Sequence, residues 1–167
     1  SAAEIELSEL DRREHRLADA LQGARGHYDF VLIDCPPSLG LLTVNALVAA
    51  DRAIVPLQCE FYALEGLSQL VRTINVVKQN FNPALAIQGI VLTMYDSRNK
   101  LSDMVSNDVR DYFGELVYQT VIPRNVRISE APSFGKPVLM YDLKSTGAQA
   151  YAALAAELLA QEKRAAT

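Results

Sequence analysis

Tyr28-Asp29-Phe30-Val31-Leu32-Ile33-Asp34-Cys35-Pro36-Pro37-Ser38 puts one carboxylate at the end of an apolar run and then closes the run with two prolines. An apolar stretch of this length with a polar end reads as a parallel strand covered on both faces, and open parallel sheets bind ligands at the carboxyl ends of their strands. Asp34 therefore falls where a site belongs, and a lone acid there suits a metal-bound ligand. The simpler alternative is that Asp34 caps the helix that follows.

Outward from this stretch the chain alternates. Leu7, Leu10, Leu17 and Leu21 recur at helical spacing, so residues 8–22 are expected to form one amphipathic helix before the first strand, ended by Gly23 and Gly26. Residues 41–50 read as a helix, 53–57 as a short buried strand, and 63–79 as a long helix with Leu67, Leu70, Val71, Ile74 and Val77 inward. Residues 87–93 read as a third strand, 101–113 as a helix burying Leu101, Met104, Val105, Val109 and Phe113, and 117–122 as a fourth strand stopped by Pro123. The stretch to Leu143 is irregular. Ser145 is placed to cap a last helix through about Gln161, whose Ala148, Ala152, Ala155 and Ala156 suit close packing on a sheet. Alternating strands and helices with short connections imply an α/β fold with a mainly parallel, doubly wound sheet and right-handed crossovers.

With 167 residues, half of them hydrophobic, the chain suffices for one core and reads as one domain. A net charge of -4 excludes a polybasic protein, so any nucleic-acid contact must come from a local cluster of cations. No apolar run reaches the roughly 18 residues of a spanning helix, and Ser1 to Glu9 lack the order of a signal peptide, so a soluble cytosolic chain is expected. Cys35 and Cys59 lack metal-ligand spacing and read as buried thiols. His15 and His27 are isolated in sequence and take no chemical role.

Val31-Leu32-Ile33-Asp34-Cys35-Pro36-Pro37-Ser38-Leu39-Gly40, Val55-Pro56-Leu57-Gln58-Cys59-Glu60, Leu64-Glu65-Gly66-Leu67, Ile122-Pro123-Arg124-Asn125-Val126-Arg127-Ile128-Ser129-Glu130-Ala131-Pro132-Ser133 and Gly135-Lys136-Pro137-Val138 together closely resemble the ParA-type (Soj-like) DNA-partition ATPases. The match is collinear and spans nearly the whole chain. The resemblance implies a P-loop NTPase-like fold of the deviant-Walker (SIMIBI) class that binds ATP and magnesium, sandwiches nucleotide in a homodimer, binds DNA non-specifically and is stimulated by a ParB-type centromere-binding protein. It implies a cytoplasmic, nucleoid-associated protein that moves chromosomes or plasmids apart.

By the same resemblance, Asp34 matches the acid that holds magnesium through a bound water, with a catalytic role. Thr93, Met94, Pro123, Arg124 and Asn125 fall in the loops around the adenine, although Pro123 and Asn125 also suit ordinary turn chemistry. Arg98 and Arg127 match positions of non-specific DNA contact, and Lys100, Arg124 and Lys144 can enlarge that patch; solvated surface arginines are the alternative.

The phosphate-cradling pattern GxxxxGK[ST] does not occur in the 167 residues. Phe134-Gly135-Lys136-Pro137 is a poor imitation, with Glu130 and Pro137 at the flanking positions. The chain is therefore expected to be the C-terminal part of such an ATPase domain, without its N-terminal strands, inactive alone and inclined to self-associate through uncovered strand edges. A non-enzymatic DNA-binding or dimerisation fragment is the alternative reading. A MinD-like membrane ATPase fits less well because Ala150 to Thr167 lacks a bulky apolar face, and an iron–sulfur relative lacks suitably placed cysteines.

Overall fold

In the computed structural model, residues 2–24, 26–36 and 38–165 are described, so Pro37 and the last two residues of the C-terminal tail lie outside the described part. The elements run α1 (Ala2–Ser8), α2 (Arg16–Leu21), α3 (Leu41–Ala49), β1 (Arg52–Gln58), α4 (Ala63–Asn80), β2 (Ala86–Thr93), α5 (Lys100–Phe113), α6 (Val126–Glu130), α7 (Val138–Tyr141) and α8 (Thr146–Ala165). Short 3-10 turns occupy Gly114–Leu116 and Ala131–Phe134.

β1 and β2 pair in parallel: the Ala86 amide donates to the Asp51 carbonyl at one end and the Cys59 amide to the Thr93 carbonyl at the other. Isolated parallel bridges join Ile90 to Val117 and Tyr95 to Pro123. The α/β class and parallel pairing agree with the sequence reading. The expected fourth strand, however, is only these bridges. The Tyr118 and Ile122 amides reach the carbonyls of Ile90 and Leu92, but between them the amides of Gln119 and Thr120 turn away to the Glu157 carboxylate on α8.

Two compact units emerge. One gathers the chain through Ala53 with Gly66–Gln88. Its core packs Leu47 and Val48 of α3 against Ile74 and Val77 of α4 and against Leu85. Each such side chain removed from water stabilises by roughly 1.5–3 kcal/mol. Asn82 closes the C-terminal end of α3, its amide donating to the carbonyls of Leu47, Val48 and Ala50 at 3.1, 3.2 and 2.7 Å. The single helix expected over 8–22 is instead α1 and α2 around a turn with Arg12 at φ 52. Buried Asn45 explains the break, since its side chain accepts the Leu17 amide and donates to the Arg13 carbonyl, fixing the start of α2.

The segment Tyr28 to Pro36 departs most from expectation. It has no regular structure and joins no strand among the described residues, and Leu32 is 85% exposed. A buried strand needs neighbours on both edges and both faces, and the described residues supply none. Cys35 is consequently exposed, whereas Cys59 is buried as expected.

The second unit gathers Ile54–Glu65 with the chain from Gly89 on. Val91, Tyr118 and Ile122 form its core, against which Ile128, Ala150, Leu154 and Leu158 pack. Gly89 lets the Tyr118 ring lie directly on the β2 backbone. Ser145 caps α8 as expected, its hydroxyl accepting the Ala148 amide at 3.2 Å. Of the alanines expected to face the sheet only Ala148 is buried, because the packed stripe runs through Leu154 and Leu158; Ala152, Ala155 and Ala156 are exposed. Met104 is likewise exposed, its place on the inner face of α5 taken by Ser102 and Ser106.

Candidate functional site

Three segments of the second unit converge beyond the carboxyl ends of their extended stretches: Cys59–Glu60 after β1, Thr93–Asp96 after β2, and Pro123–Asn125. Backbone hydrogen bonds fix them to one another. Cys59 donates to Thr93 at 3.1 Å, Tyr95 to Ile122 at 3.2 Å, and Arg124 to Tyr95 at 2.8 Å. They border a cleft of about 520 Å³ whose walls include Glu60, Phe61, Met94, Asp96, Ser102 and Arg124. A ligand site at the carboxyl ends of parallel strands is what this architecture favours.

Met94 turns the chain out of β2 with φ 53, a left-handed conformation in a non-glycine residue. Such a conformation costs roughly 1–2 kcal/mol in an L-residue and persists where the surroundings fix it. Arg124 pairs with Glu60 at 3.3 Å across the cleft, both side chains about half exposed. Asp96 is held more tightly. Its carboxylate accepts the Arg98 backbone amide at 3.0 Å and the Arg98 guanidinium through Nε and Nη2, each at 2.9 Å. The guanidinium hydrogen bond, aided by the backbone amide, lowers the Asp96 carboxyl to about 2. The loop closes on α5, where Asn99 caps the helix by accepting the Leu101 amide and the Tyr95 hydroxyl donates to Asp103.

The expected adenine-loop residues Thr93, Met94, Pro123, Arg124 and Asn125 thus come together. Asn125 has its side chain committed elsewhere, accepting the Arg127 amide as the cap of α6 and donating to the Thr146 hydroxyl at 2.8 Å. Arg98 and Arg127 are both surface guanidiniums held by carboxylates of this chain, Arg98 by Asp96 and Arg127 by Glu130 at 2.8 Å and Asp142 at 3.4 Å. Sequence reading passed over Asp96, one acid in a polar loop. The signal it offered was its position three residues beyond a strand end and two before an arginine.

Asp34 belongs to the first unit and is exposed on the segment that joins no strand among the described residues. It does not cap α3, which begins after Gly40 with no side-chain cap. Among the described residues no three His, Cys, Asp or Glu side chains cluster to hold a metal ion. Magnesium keeps most of its waters and is commonly held through one or two carboxylates together with phosphate, so the single exposed carboxylate of Asp34 is compatible with such an ion. No helix of the described residues is long and apolar enough to cross a membrane.

A family model described as an AAA domain matches residues 1–87. The chain is 63% identical over 165 residues to the chromosome partitioning protein ParA of Caulobacter vibrioides, covering 98% of this chain and 62% of that protein. It is 54% identical over 160 residues to the sporulation initiation inhibitor protein Soj of Bacillus subtilis, covering 96% of this chain and 63% of that protein. The solved structure of cobyrinic acid a,c-diamide synthase from Mycobacterium smegmatis, with bound ATP analog and magnesium, superposes with a TM-score of 0.78 at 43% identity, over 96% of this chain and 59% of that one. The chain spans about three fifths of the length of the curated relatives it matches.

Proposed function

We propose, for a chain that belongs to the ParA/Soj family of AAA-domain partition ATPases, that it supplies the base-side wall of a nucleotide site and the DNA-contacting arginines of a protein that segregates chromosomes or plasmids. The whole protein binds ATP with magnesium, dimerises with nucleotide between its protomers, coats DNA without sequence preference in the nucleoid, and answers to a ParB-type partner. The observation that carries this reading is the convergence of Glu60, Met94, Asp96 and Arg124 on one cleft at the carboxyl ends of parallel strands. A base edge fits such a wall because the loops are tied to one another by backbone hydrogen bonds and the carboxylates of Glu60 and Asp96 offer acceptors beside the Arg124 donor. Arg98 and Arg127 suit phosphate because a guanidinium makes bidentate, sequence-independent contacts.

ATP and magnesium supply the phosphoryl chemistry of the whole protein. This chain's part is to orient the base and contribute Asp34. Since GxxxxGK[ST] does not occur in it, the 167 residues alone do not turn ATP over. That same gap favours a second reading, a DNA-binding or dimerisation fragment without nucleotide chemistry.

Magnesium-dependent ATP binding and turnover, measured for this chain, for the polypeptide translated from the intact reading frame and for its Asp34→Ala form, test the proposal. Turnover confined to the intact product and lost with Asp34 supports it. Turnover by the 167 residues, or by Asp34→Ala, overturns it, and nucleotide binding by none of the three leaves the binding-fragment reading.

A further inference from the structure

Asp96 both lines the cleft and holds Arg98, a proposed DNA contact. Its side chain is 22% exposed and that of Arg98 86% exposed, so the carboxylate is partly covered and the guanidinium lies on the surface. Both carboxylate oxygens are engaged, Oδ1 by the Arg98 amide and Nε, Oδ2 by Nη2. The hydrogen bonds described for the guanidinium fork thus run to the carboxylate of a residue that lines the cleft. The Asp96 carbonyl also accepts the Asn99 amide at 2.9 Å, which anchors the turn to the capped start of α5 and leaves the arginine as the movable partner.

We propose that Asp96 is a positioning residue that couples occupancy of the cleft to the availability of Arg98 for phosphate. With the cleft empty, Asp96 holds the guanidinium fork turned back on the chain. A ligand that brings a hydrogen-bond donor to the carboxylate, as the amino group of an adenine base does, competes for an oxygen and releases Nε or Nη2. The freed guanidinium can then take a phosphate bidentately. A base whose edge carries acceptors alone, as in purine riboside triphosphate, would meet the carboxylate acceptor to acceptor and would not release Arg98. The inference rests on the reading of the cleft as a base site and of Arg98 as a DNA contact, and adds the link between them.

The test uses the intact gene product and a short random-sequence DNA duplex, with affinity measured without nucleotide, with magnesium-ATP and with magnesium-purine riboside triphosphate, for wild type, Asp96→Asn, Asp96→Glu, Arg98→Ala and the Asp96→Asn/Arg98→Ala double variant. Asp96→Asn is expected to strengthen nucleotide-free binding about threefold to fivefold and to shrink the ATP-to-free ratio by the same factor, the range of an exposed ion pair. Asp96→Glu keeps the coupling, and the double variant binds as Arg98→Ala does. Removing a negative charge would by itself strengthen DNA binding, but that effect would survive in the double variant, and if it does the coupling is refuted. The Nε–H resonance of Arg98 gives a reading free of DNA: in wild type it shifts on ATP addition and not on addition of purine riboside triphosphate, and an unchanged resonance with ATP overturns the proposal even where the variants fold poorly. Wild type that binds ATP and DNA with no change in this resonance refutes the link alone; wild type that binds neither refutes the underlying reading and the link with it.

Discussion

Glu157 accepts the backbone amide of Thr120 at 2.9 Å, and its second oxygen takes the neighbouring Gln119 amide at 2.7 Å, so a helix carboxylate stands where a strand ladder was expected. Glu157→Ala leaves both amides without this partner. A loss of about 2 kcal/mol is expected, since hydrogen bonds to charged groups contribute about 1.5–3 kcal/mol. Burial by itself would raise the Glu157 carboxyl, but the hydrogen bonds from Thr120 and Gln119 outweigh it and the net shift is downward. A group depressed on folding stabilises fully above its unfolded value near 4.5 and loses that contribution as pH falls through the folded value. Urea unfolding across pH 3 to 6 is expected to show a steeper acid loss for wild type than for Glu157→Ala, and equal slopes would contradict the assignment.

Asn82 is predicted to be a costly position despite lying in a turn. Asn82→Ala leaves the Leu47, Val48 and Ala50 carbonyls without its amide, and about 1–3 kcal/mol should be lost. Asn82→Asp should be worse, as it turns carboxylate oxygen toward carbonyl oxygen. Thermal melts of the two variants check the order.

Gly89→Ala drives a β-carbon into the Tyr118 ring, both residues being buried. Overpacking of this kind costs about 1–3 kcal/mol. Tyr118→Leu on the Gly89→Ala background is expected to recover part of the loss in chemical denaturation, because the obstructing ring is gone.

Tyr28, Phe30 and Leu32, exposed at 68%, 53% and 85%, give the 167-residue chain an uncovered apolar strand-like segment. Segments of this kind seek pairing. Sedimentation is expected to show concentration-dependent self-association, reduced by Phe30→Ser with Leu32→Glu. A monomer at all concentrations would contradict the prediction.

Where periodicity and partner lie in the same chain, the sequence was readable. α3, β1, α4, β2 and α5 fall within a residue or two of expectation; in α4, for example, Leu70, Ile74 and Val77 find the cluster of Leu47, Val48 and Leu85 to pack on. The run at Val31 to Ile33 carried an equally strong strand pattern, but β structure exists only with a neighbour, and none is among the described residues. The break between α1 and α2 depends on Asn45 and the lost fourth strand on Glu157, each about thirty or more residues distant and polar, so no local pattern announces them. Of the loop positions named through resemblance, Met94 and Arg124 line the cleft; the place of Asp96 there was not legible, because only the fold brings that acid to it.

Photolabelling of the intact gene product with 2-azido-ATP, followed by peptide mapping, tests the central claim most directly. The account predicts label in the peptides that carry Met94 to Ser102 and Pro123 to Asn125, suppressed by excess ATP. Label confined to other segments, with these two unmodified, would contradict the assignment of this cleft as the nucleotide's base site.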